Sequence, residues 1–117
     1  MSRKPTDFEQ RVYRLVQTIP VGRVVTYASL ARALGCGSAQ AVGQALKRNP
    51  HAPEVPCHRV IRADLSLGGY VGATMGPIVL QKRELLQQEG VEFGKDGRLL
   101  DECRVYDELA AVAAHLA

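Results

Sequence analysis

The first apolar positions of the chain recur every three or four residues, which is the spacing of a helix with one buried face. Thr6 and Glu9 have the spacing of a capping box at its start, and Pro20 cannot continue a helix. The pattern therefore predicts a first helix that runs from the Thr6 cap to about Ile19. Its inward positions are Phe8, Val12, Leu15, Val16 and Ile19.

Two further short helices are predicted after a turn and an extended piece at residues 21–25. Thr26 and Ser38 are residue types that cap helices, and the turn Gly35-Cys36-Gly37 separates the two segments. The inward positions are Tyr27, Leu30, Ala31 and Leu34 in the earlier helix and Val42, Ala45 and Leu46 in the later one.

The outer side of this third helix is small and polar, with Gln40, Gly43, Gln44 and Lys47 spaced three or four residues apart. Two short helices joined by a glycine-containing turn, with such an outer face on the second, favour a helix-turn-helix. Helical hairpins that bind no DNA have the same pattern. The hairpin alone therefore leaves both interpretations open.

The rest of the chain predicts loops, short strands and two more helices. Asn49-Pro50 ends the third helix, because the residue before a proline is pushed out of the helical region. The fold class expected is mainly α with short β hairpins, in a single domain over residues 1–117. The later segments are a proline-punctuated loop at 51–56, a short strand at 58–61, a glycine-rich loop at 65–76, a helix at 77–88 with Ile78, Val79, Leu80 and Leu85 as core candidates, a hairpin turn at 95–97 and an alanine-rich helix at 106–116.

Length and composition are those of an ordinary globular domain. A chain of 117 residues with 46% hydrophobic and 23% charged residues can form one core. The longest uncharged run, at 66–81, is too rich in glycine and polar residues for a membrane span, and the first ten residues lack the apolar core of a signal peptide. We expect a cytoplasmic protein, associated with the nucleoid in a bacterium or nuclear in a eukaryote.

The charge is unevenly distributed. Residues 1–62 contain ten Lys or Arg against three acidic residues, a net +7, whereas residues 63–117 contain five against nine, a net −4. A basic half indicates a partner with negative charge, of which nucleic acid is the commonest. A solvated basic face is the other interpretation, and charge alone favours neither.

The three cysteines are Cys36, Cys57 and Cys103, an odd and widely spaced set that argues against a disulfide framework. They have no metal-ligand spacing, so no metal site is expected. Cys57 lies in "VPCHRV", between a proline and two residues that can carry positive charge. A thiol attacks as the thiolate, so a reactive cysteine needs a base or a cation nearby.

His58 is the candidate base for Cys57. Adjacent side chains on a strand point to opposite faces, so a bridging water would have to relay the proton. Glu89, at the end of a predicted helix, is a candidate to fix the histidine tautomer. Without further context, an inert, half-buried cysteine beside a surface histidine is the favoured interpretation.

Several motifs supply that context, because in order along the chain they resemble the C-terminal domain of the O6-alkylguanine-DNA alkyltransferases (methylated-DNA–protein-cysteine methyltransferases). The resemblance covers about residues 8–93 and leaves a C-terminal extension at 94–117. The most specific element is PCHRV with an Asn-Pro eight residues before its cysteine. The motifs are "GRVVTYASLARALG", "AVGQALKRNP", "VPCHRVI", "GGY" and "LLQQEG".

The resemblance implies a winged helix-turn-helix that binds the minor groove of double-stranded DNA, flips out an O6-alkylguanine and takes the alkyl group irreversibly. It implies no cofactor, and we expect a monomer. The catalytic roles implied are Cys57 as acceptor, His58 as its base through water, Glu89 orienting His58, Asn49 holding the active-site loop and Tyr27 donating to guanine N3.

The resemblance also implies substrate and DNA contacts. The backbone carbonyls of Val55 and Cys57 would read the exocyclic amine, the Val71 amide would meet O6, and Tyr70 would form a wall of the alkyl pocket. The DNA-binding residues implied on and beside the third helix are Ala39, Gln40, Gly43, Gln44, Lys47 and Arg48.

Three departures from the family pattern keep an alternative open. Gln40 stands where the family usually has an arginine that fills the gap left by the flipped base, and the rim at 71–81 is longer than usual. The chain has the length of alkyltransferase-like proteins, which bind O6-alkylguanine without transfer and recruit nucleotide excision repair proteins. A lesion-binding module is therefore the alternative to a single-use alkyltransferase. A more distant one is a winged-helix transcription factor with Cys57 as redox sensor.

Overall fold

A computed structural model of the chain describes residues 6–48, 55–68 and 76–116. Within those ranges the protein is mainly helical, as predicted, with one small sheet. The helices are α1 (Asp7–Val16), α2 (Tyr27–Leu34), α3 (Ala39–Lys47), α4 (Pro77–Gln88) and α5 (Leu109–Leu116), and the strands are β1 (Val25–Thr26) and β2 (Val60–Ile61). Short 3₁₀ turns form at Cys57–Arg59 and Glu102–Arg104.

The predicted helix caps are present. The Thr6 hydroxyl accepts from the Glu9 amide while the Glu9 carboxylate accepts from the Thr6 amide. The Thr26 hydroxyl accepts from the Ser29 amide and the Ser29 hydroxyl from the Thr26 amide, and the Ser38 hydroxyl accepts from the Ala41 amide at the start of α3. Gly35 ends α2 with a φ of +71°, a left-handed conformation that glycine adopts without steric cost.

Helix α1 ends three residues before the predicted Ile19. The Thr18 amide and hydroxyl both bond the Leu15 carbonyl, and the Ile19 amide bonds Val16, so the last turn tightens to 3₁₀ geometry. Ile19 is nevertheless buried, as its position in the pattern predicts.

Two apolar clusters form the core. The larger one joins the inward faces of α1, α2 and α3 to α5 and β1, and includes Cys57. The smaller one lies between α4 and the C-terminal hairpin, where Leu86, Val91 and Phe93 are buried. On α4 the buried positions are Lys82 and Leu86; the predicted core residue Leu80 is 59% exposed, and Val79 and Leu85 are half-buried. The side chain of Ile78 lies outside the described residues.

The sheet is a parallel pair in which Val25 is opposite Val60 and Thr26 opposite Ile61. The strand predicted at 58–61 begins only at Val60, because the chain first makes the 3₁₀ turn Cys57–Arg59. The predicted hairpin is confirmed by the antiparallel bridge Phe93↔Leu99. Together with the bridge Ser66↔Arg98 it forms the wing beside the helices.

The C-terminal segment runs along β1 before it becomes helical. Val105 is bridged to Val24, and the Tyr106 amide donates to the Val24 carbonyl over 2.7 Å. These bonds hold Tyr106 in extended backbone, so α5 begins at Leu109 rather than at the predicted residue 106. None of the helices in the described ranges is long and apolar enough to cross a membrane.

Candidate active site

Cys57 is presented by two consecutive tight turns. Pro56, at φ −80° and ψ 64°, is the central residue of an inverse γ-turn in which the Cys57 amide donates to the Val55 carbonyl over 2.7 Å. The ring of proline restricts φ to this range, so the residue before the cysteine favours the turn. The 3₁₀ turn then follows at once, and Cys57 is 5% exposed.

Both carbonyls expected to read the guanine amine already accept one internal bond. The Val55 carbonyl accepts from Cys57, and the Cys57 carbonyl accepts from the Val60 amide. A carbonyl oxygen has a second lone pair, so each can still accept a further donor.

His58 and Glu89 are joined as predicted. The His58 Nε2 lies 2.9 Å from the Glu89 Oε2, although the residues are 31 positions apart. Arg59 donates to the same carboxylate through Nε and Nη2, over 2.9 and 3.0 Å, and its Nη1 donates to the Ile19 carbonyl. The carboxylate of Glu89 is therefore held on one side by a guanidinium and aligns the imidazole on the other.

The other ring nitrogen of His58 is the one available for proton transfer. Nδ1 is buried and bonds no protein atom in the described part of the chain. Because Nε2 faces a carboxylate, its proton belongs on Nε2, and Nδ1 then carries the lone pair of a base. Burial lowers the pKa of His58 and outweighs the opposite effect of Glu89, so the imidazole is neutral at pH 7.

Glu89 remains ionised beside it. Burial raises the pKa of the Glu89 carboxyl, but the hydrogen bonds from Arg59 and His58 outweigh that effect, and the net shift is downward. A carboxylate that accepts bonds from a guanidinium and an imidazole favours its charged form.

Tyr27 is close enough to Cys57 to interact with it electrostatically, and it stands at the first position of α2 behind the Thr26 cap. Burial and the neighbouring Cys57 raise the pKa of its hydroxyl. The phenol therefore stays protonated at pH 7 and can donate a hydrogen bond.

Lys82 is a buried amine close to Tyr27 and Cys57. Its side chain is fully buried, and Nζ donates to the carbonyls of Val60 and Leu67 over 2.8 and 2.6 Å. Nζ lies 6.0 Å from the centroid of the Tyr27 ring. The pKa of Lys82 is lowered to about 7, because the effect of burial outweighs the opposite effect of the interaction with Cys57. The ammonium and a thiolate at Cys57 therefore stabilise one another.

Sequence reasoning missed the roles of Lys82 and Arg59. Lys82 is four residues before the buried Leu86, so a lysine on the inward face of an apolar helix was the signal for it. Arg59 gave no such signal, because its partner Glu89 is 30 residues away and only the tertiary structure brings them together.

The outer face of α3 is separate from this cluster. Five of the predicted DNA-binding residues are exposed and Gly43 is half-buried. Arg48 forms an ion pair with the buried Glu9 over 3.5 Å, which links the end of α3 to the start of α1. The exposed residues are Ala39, Gln40, Gln44, Lys47 and Arg48.

Three residues expected in the site lie outside the described residues. They are Asn49, Tyr70 and Val71, whose roles stay predictions.

Comparisons with known proteins all indicate one family. The family model "6-O-methylguanine DNA methyltransferase, DNA binding domain" matches residues 7–91. A methylated-DNA–protein-cysteine methyltransferase of Methanothermobacter thermautotrophicus is 43% identical over 88 residues, which are 75% of this chain and 47% of that protein. The chain thus spans about half the length of that relative.

Two solved structures are similar as well. The O6-methylguanine methyltransferase of Mycobacterium tuberculosis has a TM-score of 0.64 at 41% identity, covering 84% of this chain and 54% of that one. The S. pombe ATL in complex with DNA has a TM-score of 0.68 at 29% identity, covering 89% of this chain and 98% of that one. With its PCHRV turn, its His58–Glu89 pair and a family match over most of its length, the chain belongs to the 6-O-methylguanine DNA methyltransferase family, of which it contains the DNA-binding domain.

Proposed function

We propose that the protein repairs DNA by transferring an alkyl group from O6 of guanine to the Cys57 sulfur, once per molecule. The observation that carries this proposal is the His58 Nδ1, a buried nitrogen with a lone pair in the residue that follows the buried Cys57, on a ring aligned by a carboxylate that Arg59 holds. A protein that only binds the lesion has no need of a base fixed in this way.

The reaction begins with removal of the thiol proton. A water between Cys57 and His58 passes the proton to Nδ1, and Glu89 stabilises the imidazolium that forms. The thiolate then attacks the alkyl carbon, so that a sulfur–carbon bond forms as the carbon–O6 bond breaks. The electron pair of the broken bond goes to the guanine.

Tyr27 and Lys82 stabilise the two charges of this step. The thiolate lies in the field of the Lys82 ammonium. The departing guanine gathers negative charge, and the Tyr27 hydroxyl, kept protonated by burial and by Cys57, donates a hydrogen bond or a proton to it. The thioether product has no leaving group within reach, so the protein is consumed.

DNA is the partner in this proposal, and the exposed face of α3 is the surface that binds it. The face carries Lys47 and Arg48 and small residues that allow close approach to a groove. The relative from M. tuberculosis is also known as a complex with DNA, which supports the same mode here. The proposal includes an intracellular location, because the DNA substrate is inside the cell.

The decisive test is the mass of the intact protein after mixing with a duplex that contains O6-methylguanine. The expected result is the mass of a methyl group in place of the thiol hydrogen, with no change in Cys57→Ser. His58→Asn is expected to slow transfer by about 10²–10⁴-fold without loss of binding. Tight binding of the lesion with an unchanged mass would contradict transfer.

The second candidate is a module that binds O6-alkylguanine and leaves it in place for nucleotide excision repair proteins. Two observations favour it: the similarity to S. pombe ATL over 98% of that chain, and Gln40 in place of the usual arginine. The same mass measurement separates the two, since the module would bind the lesion and gain no mass.

A further inference from the structure

Arg62 and Tyr27 are neighbours because the strands that end beside them pair in parallel. Thr26 at the end of β1 is opposite Ile61 at the end of β2. The next residues along the two strands are Tyr27 and Arg62, and in a parallel pair both chains leave the sheet at the same end of the strands. Tyr27 enters the active site from that end.

Gly68 brings the two side chains together. A Cβ at Gly68 would lie 3.2 Å from the Arg62 Cγ and 3.7 Å from the Tyr27 Cε2, and its φ is +74°. The stem of Arg62 therefore runs across the glycine beside the Tyr27 ring. A side chain at position 68 would push the arginine away, and the backbone conformation also favours glycine.

The guanidinium of Arg62 forms no hydrogen bond or close ion pair with another residue that the structure describes. The side chain is exposed, and its charge acts on the nearby Asp64 and Tyr27. Other arginines near the wing are engaged: Arg83 donates to the Phe93 carbonyl, Arg98 to that of Asp64 and Arg104 to that of Gly22. An exposed guanidinium that lies beside the Tyr27 ring and is bound by no described carboxylate or carbonyl indicates an anionic ligand.

We infer that Arg62 binds a backbone phosphate next to the extruded nucleotide, at the mouth of the pocket between Tyr27 and the wing. The inference rests on the proposed function. A base that enters the site leaves its sugar at the mouth, so its flanking phosphates are the anions nearest that rim. A guanidinium offers two parallel N–H groups to phosphate oxygens.

Arg62 would thus act as a positioning residue for flipping. Its contact forms only when the nucleotide is extruded, whereas the α3 face binds any duplex. Loss of Arg62 should therefore weaken binding of a lesion duplex about tenfold and leave undamaged duplex nearly unaffected.

The test uses the full chain with Cys57→Ser, so that binding is measured without transfer. Fluorescence anisotropy gives the Kd for O6-methylguanine duplexes in which one flanking phosphate, 5′ or 3′, is an uncharged methylphosphonate. The proteins compared are the parent, Arg62→Ala, Arg62→Lys and Arg14→Ala. Arg14 is the matched control, because it is an exposed arginine on α1 in the groove beside α5.

We expect one of the two neutral linkages to cost the parent about tenfold in Kd and to cost Arg62→Ala nothing further. The slope of log K against log salt should fall by about 0.9 in Arg62→Ala, and Arg62→Lys should keep the slope. Two results would overturn the inference while the proposed function stands. One is that the losses of affinity from the neutral linkage and from Arg62→Ala simply add, and the other is that Arg62→Ala and Arg14→Ala have the same Kd for lesion duplex. A parent protein that shows no preference for the lesion would overturn both.

An effect confined to lesions with a carboxylate on the alkyl group would also overturn it. O6-carboxymethylguanine provides that comparison, since its carboxylate is a second anion that could meet the guanidinium. Arg62 would then read the alkyl group rather than the DNA backbone.

Discussion

The groups that work together in the active site come from distant parts of the chain, whereas the outer face of α3 comes from nine consecutive residues. His58 and Arg59 meet Glu89 across 31 and 30 positions, and Lys82 bonds carbonyls 22 and 15 positions away. The α3 face needs only a helix that is capped and correctly packed. The proposed chemistry therefore depends on tertiary contacts, whereas the proposed DNA binding depends on a local pattern, so mutations in the two regions should behave differently.

Glu89→Gln should have the largest effect, on both stability and chemistry. It leaves the guanidinium of Arg59 and the imidazole of His58 without their carboxylate, in a site where these side chains are 12% and 4% exposed. We expect about 3 kcal/mol less stability in urea denaturation and at least a hundredfold slower single-turnover transfer. Glu92→Gln, an exposed neighbour, is the control. Unchanged stability in Glu89→Gln would show that the cluster is not a structural unit.

Lys82 should make stability depend on pH between about 7 and 10.5. Its pKa is about 7 in the folded protein and 10.5 in the unfolded chain, so in this window the unfolded state binds more protons and stability rises with pH. The rise is about 1.4 kcal/mol per pH unit. Denaturation at pH 7.5 and 9 in the Cys57→Ser background should show it, and Lys82→Met should abolish it. An equal rise of stability with pH in both proteins would mean that a group other than Lys82 titrates in this window.

Gln40→Arg tests the α3 face alone. A guanidinium at this exposed position adds charge and a stacking plane where, under the proposed function, the flipped base would leave a gap. We expect lesion binding to tighten by up to about tenfold, or transfer to become faster, with stability unchanged. The Kd for lesion duplex and the rate of transfer measure this. No change in either would mean that flipping does not depend on position 40.

Tyr13→Phe should have the smallest effect and should act on stability only. The Tyr13 hydroxyl donates to the Ala45 carbonyl of α3 over 2.7 Å in the core, so its loss leaves a buried carbonyl without this donor. We expect about 1 kcal/mol less stability and an unchanged rate of transfer per folded molecule. A slower rate would show that the support of α3 also positions the active site.

Local features were predictable from the sequence. The caps at Thr6, Thr26 and Ser38, the left-handed turn at Gly35 and the hairpin after Phe93 all depend on neighbouring residues, and the structure has each of them. The inward face of α3 is buried as its apolar spacing predicts.

Features that depend on tertiary contacts were predicted less well. The Cys57–Arg59 segment is a 3₁₀ turn rather than a strand, because the γ-turn at Pro56 feeds directly into it. The predicted start of α5 at residue 106 is three residues too early. The spacing of apolar residues in the helix gives no sign that Val105 pairs with Val24, and this pairing keeps the residues after it extended. Glu89 was a candidate partner of His58 from the sequence, and the family resemblance gave it the same role. Arg59 as the third member was found only through the structure.

The most direct test of the account is to find the alkyl group on its acceptor. After reaction with an O6-methylguanine duplex, the protein is digested and the peptide that contains Cys57 is fragmented in a mass spectrometer. The account predicts S-methylcysteine at position 57, free thiols at Cys36 and Cys103, and unmodified guanine in the DNA. An unmodified Cys57 in protein that remains bound to an intact lesion would contradict it.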